Sequence, residues 1–240
     1  MEKTLNKKIW SNKDTIDPDV RKNLLQMAND FVTSLKVSKL KLVDVRFTGS
    51  LANYNWHDKS DIDLHLIFDL SNFDKHKEFI KELLRAKKVV WNLKHNITLH
   101  GFPVEIYGED VSDEHYSTGV FSLAKNEWIK EPKPENVSLE DVDKKQVMRK
   151  YRDKVDTILH LEELSEKEDD YTKLIKDMEN FVVRLKDSRN EALAKEGETS
   201  IENIVFKMLR KNGFIDRLIE LKNKLYDESL TIEQLQDEFK

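Results

Sequence analysis

In the first half of the chain, apolar and polar residues alternate in short runs. Lys41-Leu-Val-Asp-Val-Arg-Phe47 is rich in β-branched residues; Ile62, Leu64 and Leu66 alternate with Asp61, Asp63 and His65; Val104 and Ile106 alternate with Glu105 and Tyr107. Each run reads as a strand with its apolar side on a core and its polar side on the opposite face. Asn96 to Leu99 reads as a strand joined to Phe102–Tyr107 by a tight turn at His100-Gly101. Val120 to Leu123 reads as a short strand, with Trp128-Ile129 as a packed anchor after it. Helical spacing separates these runs. Asp17-Pro18 sets an N-cap before a proline at the first helical position, ahead of Leu24, Leu25, Met27, Phe31, Val32 and Leu35. Ser71 is placed to cap a second helix through Phe73, Phe79, Ile80, Leu83 and Leu84 to about Trp91. That helix would carry the chain across to the next strands.

Gly108 to Gly119 is polar and loop-like, and Glu131-Pro-Lys-Pro134 looks like a linker. Beyond it the spacing turns helical. Val147, Met148, Tyr151, Val155, Ile158 and Leu159 form one amphipathic stripe, and Tyr171, Leu174, Ile175, Met178, Phe181, Val182 and Leu185 a second. Thr199-x-x-Glu202 is a capping box for a third helix through Ile204, Val205, Met208 and Leu209, halted near Asn212-Gly213. Phe214 to Leu225 gives a fourth, and Thr231-x-x-Gln234 caps a short last one. Charge runs such as Glu162 to Asp170 read as solvated turns, and the heptads are too broken for a long coiled coil. The expectation is an α+β protein. A small mixed β-sheet with helices on one face occupies residues 1–137, and an all-α helical bundle occupies residues 138–240.

Two places in this layout bear on chemistry. Gly49-Ser50 lies where the first strand gives way to Leu51 to Trp56, which has the composition of a short helix. Unpaired N–H groups and the helix dipole attract anions at such a turn, and glycine lets a phosphate approach the main chain. Asp61 and Asp63 share the polar face of their strand. Carboxylates so placed repel and are most readily kept together by a cation, and hard oxygen ligands suit Mg²⁺. If the strand with Glu105 pairs beside theirs, Glu105 completes a cluster of acids facing the Gly-Ser turn. Taken singly these features are common, and an isolated Asp-x-Asp is usually a solvated strand face; order and spacing make the combination specific.

The succession of a hydrophobic strand, Gly49-Ser50, a short helix, Ser60-Asp61-Ile62-Asp63-Leu64 and an acid in a later strand resembles the DNA polymerase beta-like nucleotidyltransferase superfamily. The resemblance covers about residues 40 to 108. It implies transfer of a nucleoside monophosphate from an NTP such as ATP to a hydroxyl-bearing acceptor, with release of pyrophosphate. Asp61, Asp63 and Glu105 are then the catalytic and metal-binding residues, holding two ions of Mg²⁺ or Mn²⁺. Gly49, Ser50 and Ser60 are the nucleotide-binding residues of the sheet part, and the helical bundle forms the second wall of the cleft. The third acid is often Asp in the superfamily, whereas Glu105 is one methylene longer.

The triphosphate calls for further positive charge, and Asn203, Lys207 and Arg210 recur on one helix face opposite an apolar stripe, so Lys207 and Arg210 are the candidates. His65 is expected to hold a carboxylate from behind rather than touch substrate. His115, Tyr116, Ser117 and Thr118 follow the Glu105 strand toward substrate, although Ser-Thr-Gly reads first as a turn. Lys59 either touches phosphate or merely finishes the turn before Asp61, and Arg46 reads as an edge charge. A small molecule, a protein side chain, an RNA end or a second nucleotide all fit as acceptor. The alternative on the same fold is a nucleotide-binding regulatory or antitoxin-like module that acts through a protein partner.

Composition narrows the partners more than the fold. The 240 residues, 38% of them hydrophobic, suffice for one sizeable core or two modest domains. Charged residues make up 36% with a net charge of -5, which argues against general nucleic-acid binding, since such proteins tend to be basic overall. The lack of cysteine removes disulfides, thiolate zinc sites and thiol nucleophiles. Met1 to Trp10 has no apolar core of signal-peptide length, and no apolar run is long enough to span a bilayer. A soluble, cytoplasmic protein is the expectation.

Overall fold

In the computed structural model, which describes residues 2, 4–114, 116–167 and 171–231, the alternating runs pair into one sheet. A small hairpin comes first, β1 (Trp10–Asn12) with β2 (Thr15–Ile16). It is followed by α1 (Pro18–Leu35), β3 (Lys41–Thr48), β4 (Ile62–Asp69), α2 (Lys77–Lys94), β5 (Thr98–Leu99), β6 (Phe102–Asp110), β7 (Val120–Ser122) and β8 (Glu127–Lys130). The six-stranded sheet has the order β5-β6-β4-β3-β7-β8. Only β4 and β6 run parallel among these neighbours, so the sheet is mixed and the fold is α+β. The chain divides into two units, residues 1–138 with the sheet and residues 139–240.

The Asp17 carboxylate caps α1 by accepting the N–H groups of Asp19 and Val20 at 3.0 and 3.1 Å, and Pro18 takes the first helical position. Val20, Leu24 and Phe31 of α1 and Ile80 and Leu84 of α2 are buried in one core with Phe47, Ile62, Leu64, Leu66 and Ile106. The rings of Phe31 and Trp91 meet edge to face at 5.5 Å, so both helices cover the same face. α2 is the long connection that parallel β4 and β6 require. His100 and Gly101, both at positive φ, close the two-residue turn between β5 and β6. With the apolar side chains on the helix side, the register turns Arg46, Thr48, Asp63, His65, Glu105 and Tyr107 to the other face.

Several local expectations are revised. Leu51 to Trp56 is not a helix. A single 3-10 turn, Ser50–Ala52, ends where Asn53 becomes extended, and the Leu51 carbonyl accepts the Trp10 indole N–H at 2.8 Å instead of continuing a helical ladder. Ser71 does not cap α2; Ser71–His76 is a separate 3-10 stretch. The junction is anchored by the buried Asp110, which accepts the Leu70 N–H at 3.2 Å and pairs with Lys77 at 2.5 Å. Phe79 is 69% exposed rather than in the core. Arg46 lies on an interior strand and donates to buried Asp44 at 3.2 Å, so it marks no edge.

The second unit contains α3 (Lys144–Ser165), α4 (Thr172–Glu196), α5 (Ile201–Lys211) and α6 (Phe214–Leu230). Val147, Ile158, Leu174, Met178, Phe181, Leu209 and Leu218 form its core. Met148 and Leu159 face solvent, each one position past a buried residue of the α3 stripe. α5 begins after Ser200 rather than Thr199, and Glu202 pairs with Lys150. Gly213 at φ 74 separates α5 from α6. Thr231 closes α6 through its N–H to the Asp227 carbonyl at 3.0 Å, and the last helix expected from it falls outside the described residues. No helix among the described residues is long and apolar enough to cross a membrane.

Candidate active site

Parallel pairing sets Glu105 of β6 directly beside Asp63 of β4, and Asp61 stands at the entrance to β4. Each of the three half-buried acids offers one carboxylate oxygen, and these atoms lie within 4.8 Å of one another. The turn after β3 closes around Asp63. Gly49 has φ 78, and a Cβ built there would overlap Asp63 Oδ2. Glycine is therefore required twice, by a backbone conformation that L-residues rarely adopt and by the carboxylate lying against the main chain.

Ser50 donates to the Ser60 hydroxyl at 2.7 Å, and Ser60 Oγ accepts the His57 N–H at 3.0 Å. These bonds join the Gly-Ser turn to the turn that delivers Asp61. Ser60 is buried and Lys59 exposed. One 3-10 turn has little macrodipole, so attraction of an anion here rests on the backbone N–H groups and hydroxyls of the turn rather than on a helix.

Other residues on this face were not singled out by sequence reasoning. The Tyr107 hydroxyl donates to Glu105 Oε2 at 2.5 Å. Its ring stacks on His65 at 4.7 Å and 8°, and Lys88 Nζ of α2 lies 3.7 Å from its centroid. His65 Nδ1 is 2.8 Å from Glu109 Oε1, so the carboxylate that it holds is Glu109. Strand alternation was the available signal for Tyr107 and Glu109, which share parity with Glu105; the partnership with His65 depends on the register of β4 against β6.

Charge is concentrated on this face. Burial first, then the neighbouring Asp61 and Glu105, push Asp63 up to about 7, against the opposing pull of His65 and the Tyr107 hydroxyl. Burial, the Asp63 charge and the bond to Glu105 raise the Tyr107 hydroxyl as well, keeping it a protonated donor. The cluster thus holds more negative charge than its protein surroundings compensate. Hard oxygen donors in this arrangement fit a divalent cation such as Mg²⁺ or Mn²⁺.

The remaining candidates divide. Thr118 accepts from Asn53 Nδ2 at 2.6 Å, which ties the loop to the end of the Ser50–Ala52 turn, whereas Ser117 donates to the Gly119 carbonyl at 2.9 Å and Tyr116 to Glu114 at 2.5 Å, both local ties of the loop. His115 lies outside the described residues. In the helical unit Asn203 is not on a solvated face. It is fully buried, accepts from Arg189 Nε at 3.0 Å and donates to the Glu198 carbonyl at 2.7 Å. Lys207 is exposed and stands 3.7 Å from Glu198, and Arg210 is exposed. A cavity of about 200 Å³ in this unit, lined by Lys150, Arg184 and Glu202 among others, is smaller than small-molecule sites of roughly 300–1,000 Å³.

No protein-family model and no curated protein matches the chain. Among solved structures, the STING-associated CdnE c-di-GMP synthase from Capnocytophaga granulosa is similar over 90% of this chain and 83% of its own, at 13% sequence identity and a TM-score of 0.23. So low a superposition bears neither on the fold nor on the chemistry, which rest on the geometry above.

Proposed function

We propose that the chain is a metal-dependent nucleotidyltransferase of the polymerase beta-like type, moving a nucleoside monophosphate from an NTP to a hydroxyl-bearing acceptor. The observation that carries this reading is the meeting of Asp61, Asp63 and Glu105 within 4.8 Å, beside a glycine that fits only because it lacks a Cβ. In this reading residues 1–137 are the catalytic domain and residues 138–240 a separate helical domain.

Asp61 and Asp63 would hold one Mg²⁺ or Mn²⁺ ion and, with Glu105, a second; bound there, such ions neutralise phosphate charge and acidify the acceptor hydroxyl. The remaining work falls to the protein's own groups. Glu105 takes the acceptor's proton as the acceptor oxygen bonds to the α-phosphorus. The bond from that phosphorus to its bridging oxygen breaks, and the electron pair leaves with pyrophosphate. Tyr107 fixes the orientation of Glu105 through their 2.5 Å hydrogen bond. Gly49 and Ser50, through backbone N–H groups, and the hydroxyls of Ser50 and Ser60 contact the β and γ phosphates.

The test is incubation of the purified chain with each of the four NTPs and Mg²⁺ or Mn²⁺, with pyrophosphate release and mass-shifted products as readouts. The expected result is release of pyrophosphate with at least one NTP, dependent on the divalent ion. Its absence across all four with both ions, given a range of hydroxyl acceptors, would sink the enzymatic reading.

A further inference from the structure

The first half of α3 concentrates positive charge in a chain that is negative overall. From Lys144 to Lys154 six Lys or Arg residues stand against one acid, Asp153, whereas the whole chain has a net charge of -5. Two of the six are engaged within the helical unit. Lys150 pairs with Glu202, and Lys154 Nζ lies 5.7 Å from the centroid of the Phe181 ring. Lys144, Lys145, Arg149 and Arg152 are exposed, and none of the four has an ion-pair partner among the described residues. Steps of three and four residues set them on one side of the helix with Met148, away from the buried Val147 and Ile158. They line an open depression of about 620 Å³ that Asp153 and Asp156 close at its far end.

By itself this arrangement works against the helix. Lys145 and Arg149, four residues apart, and Arg149 and Arg152, three apart, are like-charged neighbours, which weaken a helix. The first turn has no acid, so Lys144 and Lys145 stand unopposed at the positive end of the dipole. Asp143, just before them, directs its carboxylate to the N–H groups of Lys145 and Gln146 at 2.9 and 3.1 Å rather than to their ammonium groups. An anion on this face relieves both repulsions at once.

The chemistry of the face selects the anion. A protein partner needs an apolar centre to its interface, and a membrane needs an apolar side of the helix to enter the bilayer. Here Val147, Ile158 and Leu161 are buried in the unit's own core, and Met148, 41% exposed, is the apolar residue left among the four cations. Nucleic acid requires neither, because neutralising phosphates and releasing their counterions carries the binding, and guanidinium groups take phosphate oxygens in pairs. From Lys145 to Arg152 the helix rises about 10 Å, roughly three phosphate spacings along a duplex strand. The net charge of the whole chain averages this face away and so does not bear on it.

We propose that the first half of α3 is a nucleic-acid-binding face, on which Lys144, Lys145, Arg149 and Arg152 hold the phosphate backbone without reading sequence. The inference is independent of the catalytic reading, since it needs neither a metal nor an NTP.

The test titrates the full-length chain, without nucleotide, into a fluorescent single-stranded RNA and a duplex DNA of equal length, read by anisotropy. The expected result is binding to at least one of them with a dissociation constant on the order of 10 μM in about 50 mM salt, and a slope of log K against log salt of about -3 for four neutralised phosphates. The double variant Arg149→Glu, Arg152→Glu weakens binding by about tenfold or more and lowers the slope by about 1 to 2. Arg149→Gln with Arg152→Gln acts in the same direction, and neither variant melts below the parent. Lys22→Glu with Lys125→Glu makes the same change of charge at exposed positions of the sheet unit and leaves the affinity within about twofold. Failure to bind either nucleic acid, or binding that both α3 variants retain, overturns the proposal. So does an equal loss in the sheet-unit variant, or equal affinity for polyglutamate or for phosphatidylserine vesicles.

Discussion

The sheet unit and the helical unit bury different things. Among the described residues the sheet unit encloses Asp44, Thr48, Asn53, Ser60, His65 and Asp110, while the buried polar residues of the helical unit are Ser200 and Asn203. In the sheet unit such groups are held by specific partners. Asp44 accepts from Ser122 Oγ at 2.7 Å and from the Val45 N–H at 2.9 Å, and Asp110 takes Lys77, Ser112 and the Leu70 N–H. The helical unit relies instead on interlocked Leu174, Met178, Phe181, Leu209 and Leu218. Burying a polar group is unfavourable unless it is paired, so a region that does so repeatedly is using stability to fix the positions of particular atoms. One unit is built for placement and the other for packing.

The largest test of that contrast is Asp63→Asn. Activity should fall by about a thousandfold or more, on the order of 4 kcal/mol of transition-state stabilisation, while the metal-free protein at pH 8 melts no lower than the parent. A mutant that keeps its turnover, or that unfolds, would break the distinction between placement and packing. In the other unit Leu209→Ala should cost about 2–5 kcal/mol by leaving a cavity, measured by urea unfolding.

Proton linkage offers a finer test, because Asp63 and Asp110 respond in opposite directions. Asp63 has its folded value raised to about 7 from 3.8, so its folded form binds a proton that the unfolded chain releases. Its contribution is complete below pH 4 and is lost as pH rises through 7, by about 1–3 kcal/mol; Asp63→Asn or saturating Mg²⁺ should flatten that decline. Asp110 resists burial through its bonds to Lys77, Ser112 and Leu70 and is held down at about 2. Its stabilisation is present above pH 4 and is lost as pH falls toward 2, a limb that Asp110→Asn should remove in urea melts across pH.

Tyr107→Phe should lower kcat by about tenfold with KM for the NTP little changed, since the hydroxyl orients Glu105 and is not assigned a phosphate contact. An equal loss in KM would move Tyr107 into substrate binding. The smallest effect belongs to Ser200, the N-cap of α5, whose hydroxyl is buried and makes no capping bond. Ser200→Ala should shift stability by less than about 0.5 kcal/mol, below the usual 0.5–2 kcal/mol for losing a working cap. A larger loss in thermal unfolding would point to a partner for that hydroxyl.

Much of this molecule is written in local order. The alternation through Asp61–Leu66 and Val104–Tyr107, the Asp17-Pro18 start and the His100-Gly101 turn each depend on residues close together in the chain, and backbone geometry fixes their outcome. The acids could therefore be named in advance as Asp61, Asp63 and Glu105. What required the folded chain was every relation between distant segments. The parallel register that seats Glu105 against Asp63 and Tyr107 against His65, the Trp10 indole that takes the Leu51 carbonyl and ends a predicted helix, and the burial of Asn203 are such relations. Composition and periodicity specify which way a side chain points along its own element. Only packing between elements specifies what stands opposite it, because that is settled by many weak contacts acting together across the fold.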